Sequence, residues 1–471
     1  MKRKHTVQFA LFNLCVAVIC AVCATVYANM ITVTNTNDSG LGSLRQALVD
    51  ANGGDTITFA VTGTIGLTSA ELVIDKNLTL SGPGPDLLAV SRISKTQFRI
   101  FHVTQSSLTV NIEGLTISGA DAHFDYGGGI LNDQATLILT NCSVVDNIAY
   151  SGGGGIYSSD GGSVTIVNSV ISGNHAAGGQ YPYGGGVAGN SLTIINSTIS
   201  GNSTVGGGQK TFGAGGGIAG GGTITNSTIT GNYAGLEGGG ISGGGTITNC
   251  TISNNGAGGG TNNFPGTGGG IYGGGSISNC TISGNSVFGA VFKGPGLGGG
   301  IYAVGTVTIS NSTFSDNYII EYGNGAGICN QATLEIGNTI LNRGVFGENV
   351  FNNGGTITSA GYNLSNDDGG GYLNGPGDLI NTDPLLGPLQ DNGGPTQTHA
   401  LLPGSPAVDA GDPSFAPPPW YDQRGPNFYR LRNDRIDIGS FEVQEGPAVT
   451  PTPTPRPAPL PRTRPTPPLR P

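Results

Sequence analysis

Carboxylates carry the most chemical reach in this chain, and they are sparse. Asn366-Asp367-Asp368-Gly369 sets two aspartates side by side in a run that ends near Asp378. Calcium takes six to eight oxygen ligands, and two adjacent carboxylates with neighbouring carbonyls are a start. A solvated turn is the plainer reading of Asp367 and Asp368, and no other cofactor is expected. Acid–base chemistry also needs basic partners. No Arg lies between Arg99 and Arg343, and the Lys residues of that interval are Lys210 and Lys293, both in glycine-rich loops. His175 stands alone and is read as a solvated loop residue. The second chemical resource is aromatic: Tyr181, Tyr183, Phe212, Tyr233, Phe264, Phe288, Phe292, Tyr318 and Tyr322, set among Gly and Asn. An exposed row of such rings suits sugar stacking or protein contact; in the alternative, each ring folds back over its own segment.

The elements that must position these residues form a repeat. A glycine run followed by an aliphatic residue begins at Gly127-Gly128-Gly129-Ile130 and recurs before Ile156, Val187, Ile218, Ile241, Ile271, Ile301 and Ile328. A second beat falls at Asn141, Asn168, Asn196, Asn226, Asn249, Asn279, Asn311 and Asn338. Two beats in fixed order mean one unit stacked on itself. Around Asn226 the alternation is that of strands, with Ile224 and Ile229 inward and Thr223, Thr225, Thr228 and Thr230 outward. Asn tolerates left-handed backbone angles, so the eight asparagines are structural bends whose amides pair from coil to coil, not ligands. A further column, Asn147, Asn174, Asn202, Asn232, Asn285 and Asn317, closes the next bend. The fold expected is all-β: a right-handed, single-stranded parallel β-helix. Asp146 and Asp316 take equivalent slots six coils apart, roughly 29 Å at ~4.8 Å per coil, too far for carboxyls that cooperate at ~5–10 Å.

Of 471 residues, 86 are Gly and 10% are charged. The absence of a three-residue period excludes collagen. Lys2, Arg3 and Lys4 precede an apolar stretch from Phe9 to Val26, which is read as a secretory leader (1–28) cleaved after Ala28, with a retained anchor as the alternative. Between Asn29 and Thr450, 12 basic residues face 29 acidic ones, a formal −17. Such a body is a poor partner for nucleic acid or anionic membranes. Cys142, Cys250 and Cys280 each follow a repeat asparagine, in a slot where other coils carry Ser. Cys250 and Cys280 sit in successive coils, where a disulfide is conceivable but a small packed position is the simpler reading. A short capping helix is expected near Leu41, Leu44, Ala47, Leu48 and Ala51, ending at Gly53-Gly54. Residues 29–112 then form the N-terminal cap and first coils, 113–345 the glycine-rich repeats, 346–446 the last coils and a cap, and 447–471 a Pro-rich, basic, extended tail. Thr-x-Ser/Thr triplets from Thr198 to Ser315 place hydroxyls outward, as ordinary strand residues do and as ice-binding solenoids do.

Three stretches resemble known families. Thr32-Val33-Thr34-Asn35 with Gly42-Ser43-Leu44-Arg45-Gln46-Ala47 resembles the N-terminal segment of bacterial secreted β-helix proteins with a Cys-Ser-Leu-Arg-Glu-Ala signature, Gly42 and Gln46 replacing the Cys and Glu. Asp383-Pro384-Leu385-Leu386-Gly387, Asp391-Asn392-Gly393-Gly394-Pro395, Gly404-Ser405-Pro406-Ala407-Val408-Asp409-Ala410-Gly411 and Asp437-Ile438-Gly439-Ser440-Phe441-Glu442 together resemble the choice-of-anchor Q domain of bacterial surface proteins. The glycine runs with Phe314-Ser315-Asp316-Asn317 are similar to polymorphic outer-membrane protein repeats. These resemblances imply a pectin-lyase-like fold on a secreted or cell-surface protein. Lyases of that fold hold calcium on carboxylates beside a Lys or Arg base, a set not found here. Asn381-Thr382-Asp383 mimics a polygalacturonase motif without the motifs that follow it. The reading adopted is a monomeric, non-catalytic surface presented for adhesion or glycan contact, with a surface glycan or a protein as partner. The alternative is a polysaccharide lyase or another carbohydrate-active enzyme.

Overall fold

The computed structural model describes residues 28–123, 125–178, 181–205, 212–258, 265–289 and 293–444. Residues 1–27 of the expected leader, the expected Pro-rich tail, Lys210, Phe264 and Phe292 lie outside them. Among the described residues no helix is long and apolar enough to cross a membrane.

The chain winds as a parallel β-helix. One coil shows how. Ile241–Ser242 and Gly245–Thr248 lie in a first sheet of 22 strands, Thr251–Ser253 in a second of 12, and Gly256–Ala257 in a third of eight. Register is kept from coil to coil, so Ile224, Ile247, Ile277 and Ile309 stack in one buried column, and Ile229, Ile252, Ile282 and Phe314 in another. Parallel strands of a coil pair only with neighbours above and below, so no coil closes its hydrogen bonds alone.

Corners explain the repeat. The eight bend asparagines all take φ between 49° and 55°, where most side chains are disfavoured and Asn is tolerated. The glycine runs answer a different need. A Cβ on Gly239 would stand 2.3 Å from the carbonyl oxygen of Gly256 and 2.4 Å from that of Gly269, so backbone passes backbone where only hydrogen fits.

Two side-chain ladders run along the stack. In the inner asparagine column, Asn232 Nδ2 donates to Ile199 O (2.9 Å) and to Asn255 Oδ1 (3.0 Å), and Asn232 Oδ1 accepts from the backbone N–H (3.0 Å) and Nδ2 (3.0 Å) of Asn202. Asn147, Asn174, Asn202, Asn255 and Asn285 continue the pattern. Ser and Cys share the other ladder: Ser169 N–H donates to Ser197 Oγ (3.1 Å), and Cys250 N–H to Cys280 Sγ (3.4 Å). All four described cysteines are free, buried thiols; the conceivable Cys250–Cys280 bridge is not formed, and each of these sulfurs accepts a backbone N–H from a neighbouring coil.

A seven-residue helix, Leu44–Asp50, is capped by Ser43 and buries Leu44, Ala47 and Leu48 in the main core. Leu41, expected on its apolar face, lies before the helix and is exposed. At the other end, the chain does more than close the last coil. Residues from about 395 to 442 run back along the flank of the coils. Thr251 Oγ1 donates to Gln397 O (2.5 Å), Thr281 Oγ1 to Gln423 Oε1 (2.6 Å), and Ser440 N–H to Thr313 Oγ1 (3.0 Å). The outward threonine row is therefore only partly a solvent face. Thr198 and Thr228 remain half-exposed, whereas Thr251, Thr281 and Thr313 are buried beneath this return segment. A continuous exposed hydroxyl surface does not exist.

Candidate functional site

Beside the glycine runs two columns climb the stack, one just before the runs and one on the first sheet, where Ala188, Ala219 and Tyr302 are buried. Tyr126, Gly152, Tyr183, Ala214, Glu237, Thr267 and Leu297 precede the runs and bridge one another in register. Tyr157, Ala188, Ala219, Ser242, Tyr272 and Tyr302 follow the aliphatic residue. A side chain of the first column reaches the second column of the next coil. Tyr126 and Tyr157 thus meet with centroids 4.5 Å apart, and Tyr157 and Tyr183 at 6.1 Å with their hydroxyls 3.2 Å apart. Higher up, Tyr272 and Tyr302 stack at 5.5 Å, tilted by only 9°. Four register steps separate Tyr157 from Tyr272, about 19 Å at ~4.8 Å each, and the residues between them in this column are the small Ala188, Ala219 and Ser242.

The electrostatics of this strip are set by burial. Burial pushes the Tyr183 phenol well above its usual range, aided by Tyr157. Burial raises Tyr272 and Tyr302 too, and the Glu237 charge adds to both, which places that carboxyl beside the pair. Burial also raises Glu237 itself. The strip therefore offers the part-exposed rings of Tyr126, Tyr157, Tyr183 and Tyr272 and one carboxyl whose pKa burial raises, while Tyr302 is only 7% exposed and donates its hydroxyl to Gln331 Oε1; these columns hold no cation to counter an acidic ligand.

The aromatics singled out from the sequence fall in several places. Tyr183 belongs to the strip. Tyr181 and Phe212 stack on each other at 5.2 Å, with Tyr181 61% exposed. Tyr233 and Tyr318 stand in one column of the third sheet, separated by Gly256 and Ser286, and the Tyr233 hydroxyl donates to Gly258 O. Phe288 pairs with Ile320, and Tyr322 is exposed beside it. These rings do not form one edge. Tyr126, Tyr157, Tyr272 and Tyr302 were missed, although Gly-Ile-Tyr at 155–157, 270–272 and 300–302 is a visible signal for a ring in a fixed slot.

Asp367 is turned to local structure. Its oxygens accept from Asn349 N–H (2.8 Å), Ser365 Oγ (2.7 Å) and Gly369 N–H (2.9 Å). Burial opposes its charge, but these donors outweigh that and lower its pKa. Asp368 accepts from Gly370 N–H (2.9 Å) and caps a short 3₁₀ turn. Among the described residues no three His, Cys, Asp or Glu side chains gather as a metal site would require. His175 is not a solvated loop residue. It opens a strand of the third sheet, half-buried, with Nδ1 2.7 Å from Ser203 Oγ, and burial lowers its pKa.

One ionisable cluster escaped the sequence reading. In the first coils Arg99, largely buried, pairs with Glu71 (3.3 Å) and with Asp125, and His102 Nδ1 lies 3.1 Å from Glu71. Burial works to raise Glu71, but His102 and Arg99 outweigh it and lower its pKa. Glu71 and Arg45 also line a cavity of about 420 Å³ beside the helix.

No protein-family model matches the chain, and no curated protein does. Among solved structures the chain is similar to the pectate lyase Pel9A, with a TM-score of 0.46 and 14% identity over 88% of this chain and 96% of that one. It is also similar to ORF18 of Geobacillus virus E2, with a TM-score of 0.37 and 12% identity over 78% of this chain and 65% of that one.

Proposed function

We propose that this is an extracellular or cell-surface, non-catalytic β-helix protein that holds an extended polysaccharide along the tyrosine strip. The observation that supports it is the register of Tyr126, Tyr157 and Tyr183 with Tyr272 and Tyr302: two ring clusters on one face, with small residues between them in the column that carries Tyr157 and Tyr272. Sugar rings stack on such faces, and tyrosine hydroxyls that stay neutral can donate to and accept from sugar hydroxyls. Glu237 has no second carboxylate in these columns, so the paired acid and base of a glycosidase are not assembled there. The leader, the acidic body and the resemblance to surface proteins support an outside location, and calcium has no part in this reading.

The test is binding of a polysaccharide panel by calorimetry or affinity electrophoresis. Tyr157→Ala or Tyr272→Ala is expected to weaken the bound polymer by roughly tenfold, the worth of one or two ring contacts. Tyr181→Ala and Phe212→Ala test the neighbouring stack in the same assay. Binding unchanged in Tyr157→Ala and Tyr272→Ala removes the strip from consideration.

A second reading, a carbohydrate-active enzyme, has one observation in its favour: Arg99, His102, Glu71 and Asp125 form one ionisable cluster, of which Glu71 lines an open cavity. Polymer turnover lost in His102→Ala and Glu71→Gln would establish it in place of the first.

A further inference from the structure

Exposed apolar side chains gather where the third sheet ends. Tyr318–Ile320 is the last strand of that sheet, and its Tyr318 and Ile320 side chains are exposed. Tyr322, just beyond, is 50% exposed. The chain then crosses over this strand. A Cβ on Gly344 would stand 2.7 Å from Asn317 O, and one on Gly347 would stand 3.1 Å from Ile319 Cδ1. Val345 and Phe346 lie between these two glycines and are 85% and 67% exposed. An exposed apolar cluster on a soluble body marks an interaction site. Three of its five residues are aromatic. Aromatic surfaces take up proline-rich chain, which is extended in advance and loses little entropy on docking.

The protein carries such a segment. Residues 447–471 have proline at every second position from Pro451 to Pro461. They also have Arg456, Arg462, Arg464 and Arg470 and no acidic residue, a formal +4. In and beside the apolar cluster stand exposed Asp316, Glu321 and Arg343 and half-buried Glu348, a formal −2. The two signs are complementary. The reach is also sufficient. The described chain ends at Gln444, and Val443 packs against the group that holds Ile340 and Leu364. Val345 follows Ile340 by five residues, so the two lie within about 18 Å of each other. Ten residues of extended proline-rich chain span about 31 Å.

We propose that residues 447–471 dock on their own chain over Tyr322, Val345 and Phe346 at the end of the third sheet, with their arginines facing Asp316 and Glu321. The tail is then a cover for this apolar cluster rather than a free spacer. The inference does not rest on the tyrosine strip.

Trypsin tests it on the full chain. Within 447–471 only the Arg462-Thr463 bond is open to that protease, because Pro follows Arg456, Arg464 and Arg470. Release of the peptide 463–471 is followed by mass spectrometry. Tyr322→Ser and Phe346→Ser are each expected to speed release about tenfold, the effect of one ring no longer buried by the tail. Glu321→Arg is expected to speed it about threefold. Val49→Ser, at an exposed apolar position of the helix Leu44–Asp50, is expected to leave the rate unaltered. Emission of Trp420, the only tryptophan of the chain, checks that each variant keeps its fold. Equal release from the parent chain, Tyr322→Ser and Phe346→Ser overturns the proposal. A rate that falls as protein concentration rises also overturns it, because the tail would then be held by a second copy.

Discussion

Two columns of asparagine run along the same solenoid, one at the outer bend and one inside the next corner, and they are present for different reasons. The outer residues, Asn141 to Asn338, serve first by backbone: each accepts a left-handed φ near 50°, with amides also pairing between coils at Asn249–Asn226 and Asn338–Asn311. Asn141, Asn168 and Asn196 are exposed, whereas Asn279, Asn311 and Asn338 are buried. The inner residues, Asn147 to Asn317, serve by side chain. They are almost wholly buried, and the amides of Asn147 to Asn285 bind the coil above and the coil below, whereas that of Asn317 binds the preceding coil. One residue type in a repeat can thus record either a torsion or a hydrogen-bond network, and only the corner it occupies tells which.

Asn232→Ala is the sharpest way to break this distinction. The change removes two donated bonds and leaves the Asn202 N–H and amide without their acceptor. Buried groups left unpaired cost ~1–3 kcal/mol each, so a loss of roughly 3–5 kcal/mol is expected, read as a fall in the urea midpoint. A loss under about 1 kcal/mol, no more than an exposed site gives, would make the inner column no different from the outer one.

How much of this was legible follows from the same contrast. A bend written in the torsion of one residue is a local fact, so Asn226 between two strands and the Gly239 crossing left their mark in spacing. The winding and the inward Ile224 and Ile229 followed from period two. Contacts across long separations left no such mark. Thr251 and Thr281 carry the same triplet as Thr198, yet they meet Gln397 and Gln423, some 140 residues away. Nothing in the triplet distinguishes a buried copy from an exposed one. The tyrosine strip was half legible: Tyr183 was singled out as a loop residue, whereas Tyr157 and Tyr272 share a Gly-Ile-Tyr slot that the spacing displays but whose meeting with Tyr183 and Tyr302 needs the coils stacked in register.

The covered part of the outer column carries a dependence on pH that the exposed part lacks. Arg430, beneath the return segment, donates to Asn279 Oδ1 (3.2 Å) and to Gly439 O (2.5 Å), and lies 3.9 Å from Glu442. Burial, together with the nearby Asp437 charge, pushes the Glu442 carboxyl up to about 10 from 4.5. A carboxyl raised on folding keeps its proton where the unfolded chain has lost it. Its contribution is therefore complete below about pH 4.5 and falls as pH climbs toward 10, by at most ~1.4 kcal/mol per unit. Trp420 emission in urea at pH 7 and 9 is expected to show a lower midpoint at pH 9. In Glu442→Gln, which carries the neutral form permanently, that drop should shrink to the part left by the buried Cys142, Cys280 and Cys329 thiols, which burial also raises. An equal drop in both proteins would mean that Glu442 is ionised at pH 7.

The smallest effect tests the outer column where nothing covers it. Asn168 takes φ 49° and is exposed. Glycine adopts that torsion without a Cβ penalty, at the entropic cost of a freer unfolded chain. Alanine must be forced into the left-handed region at ~1–2 kcal/mol. Asn168→Gly is therefore expected to shift stability by a few tenths of a kcal/mol and Asn168→Ala by about 1 kcal/mol. The order matters more than the size. If alanine were tolerated as well as glycine, the side-chain amide and the torsion would both be dispensable at this corner. If glycine were as harmful as alanine, the outer asparagines would be acting through their amides, as the inner ones do.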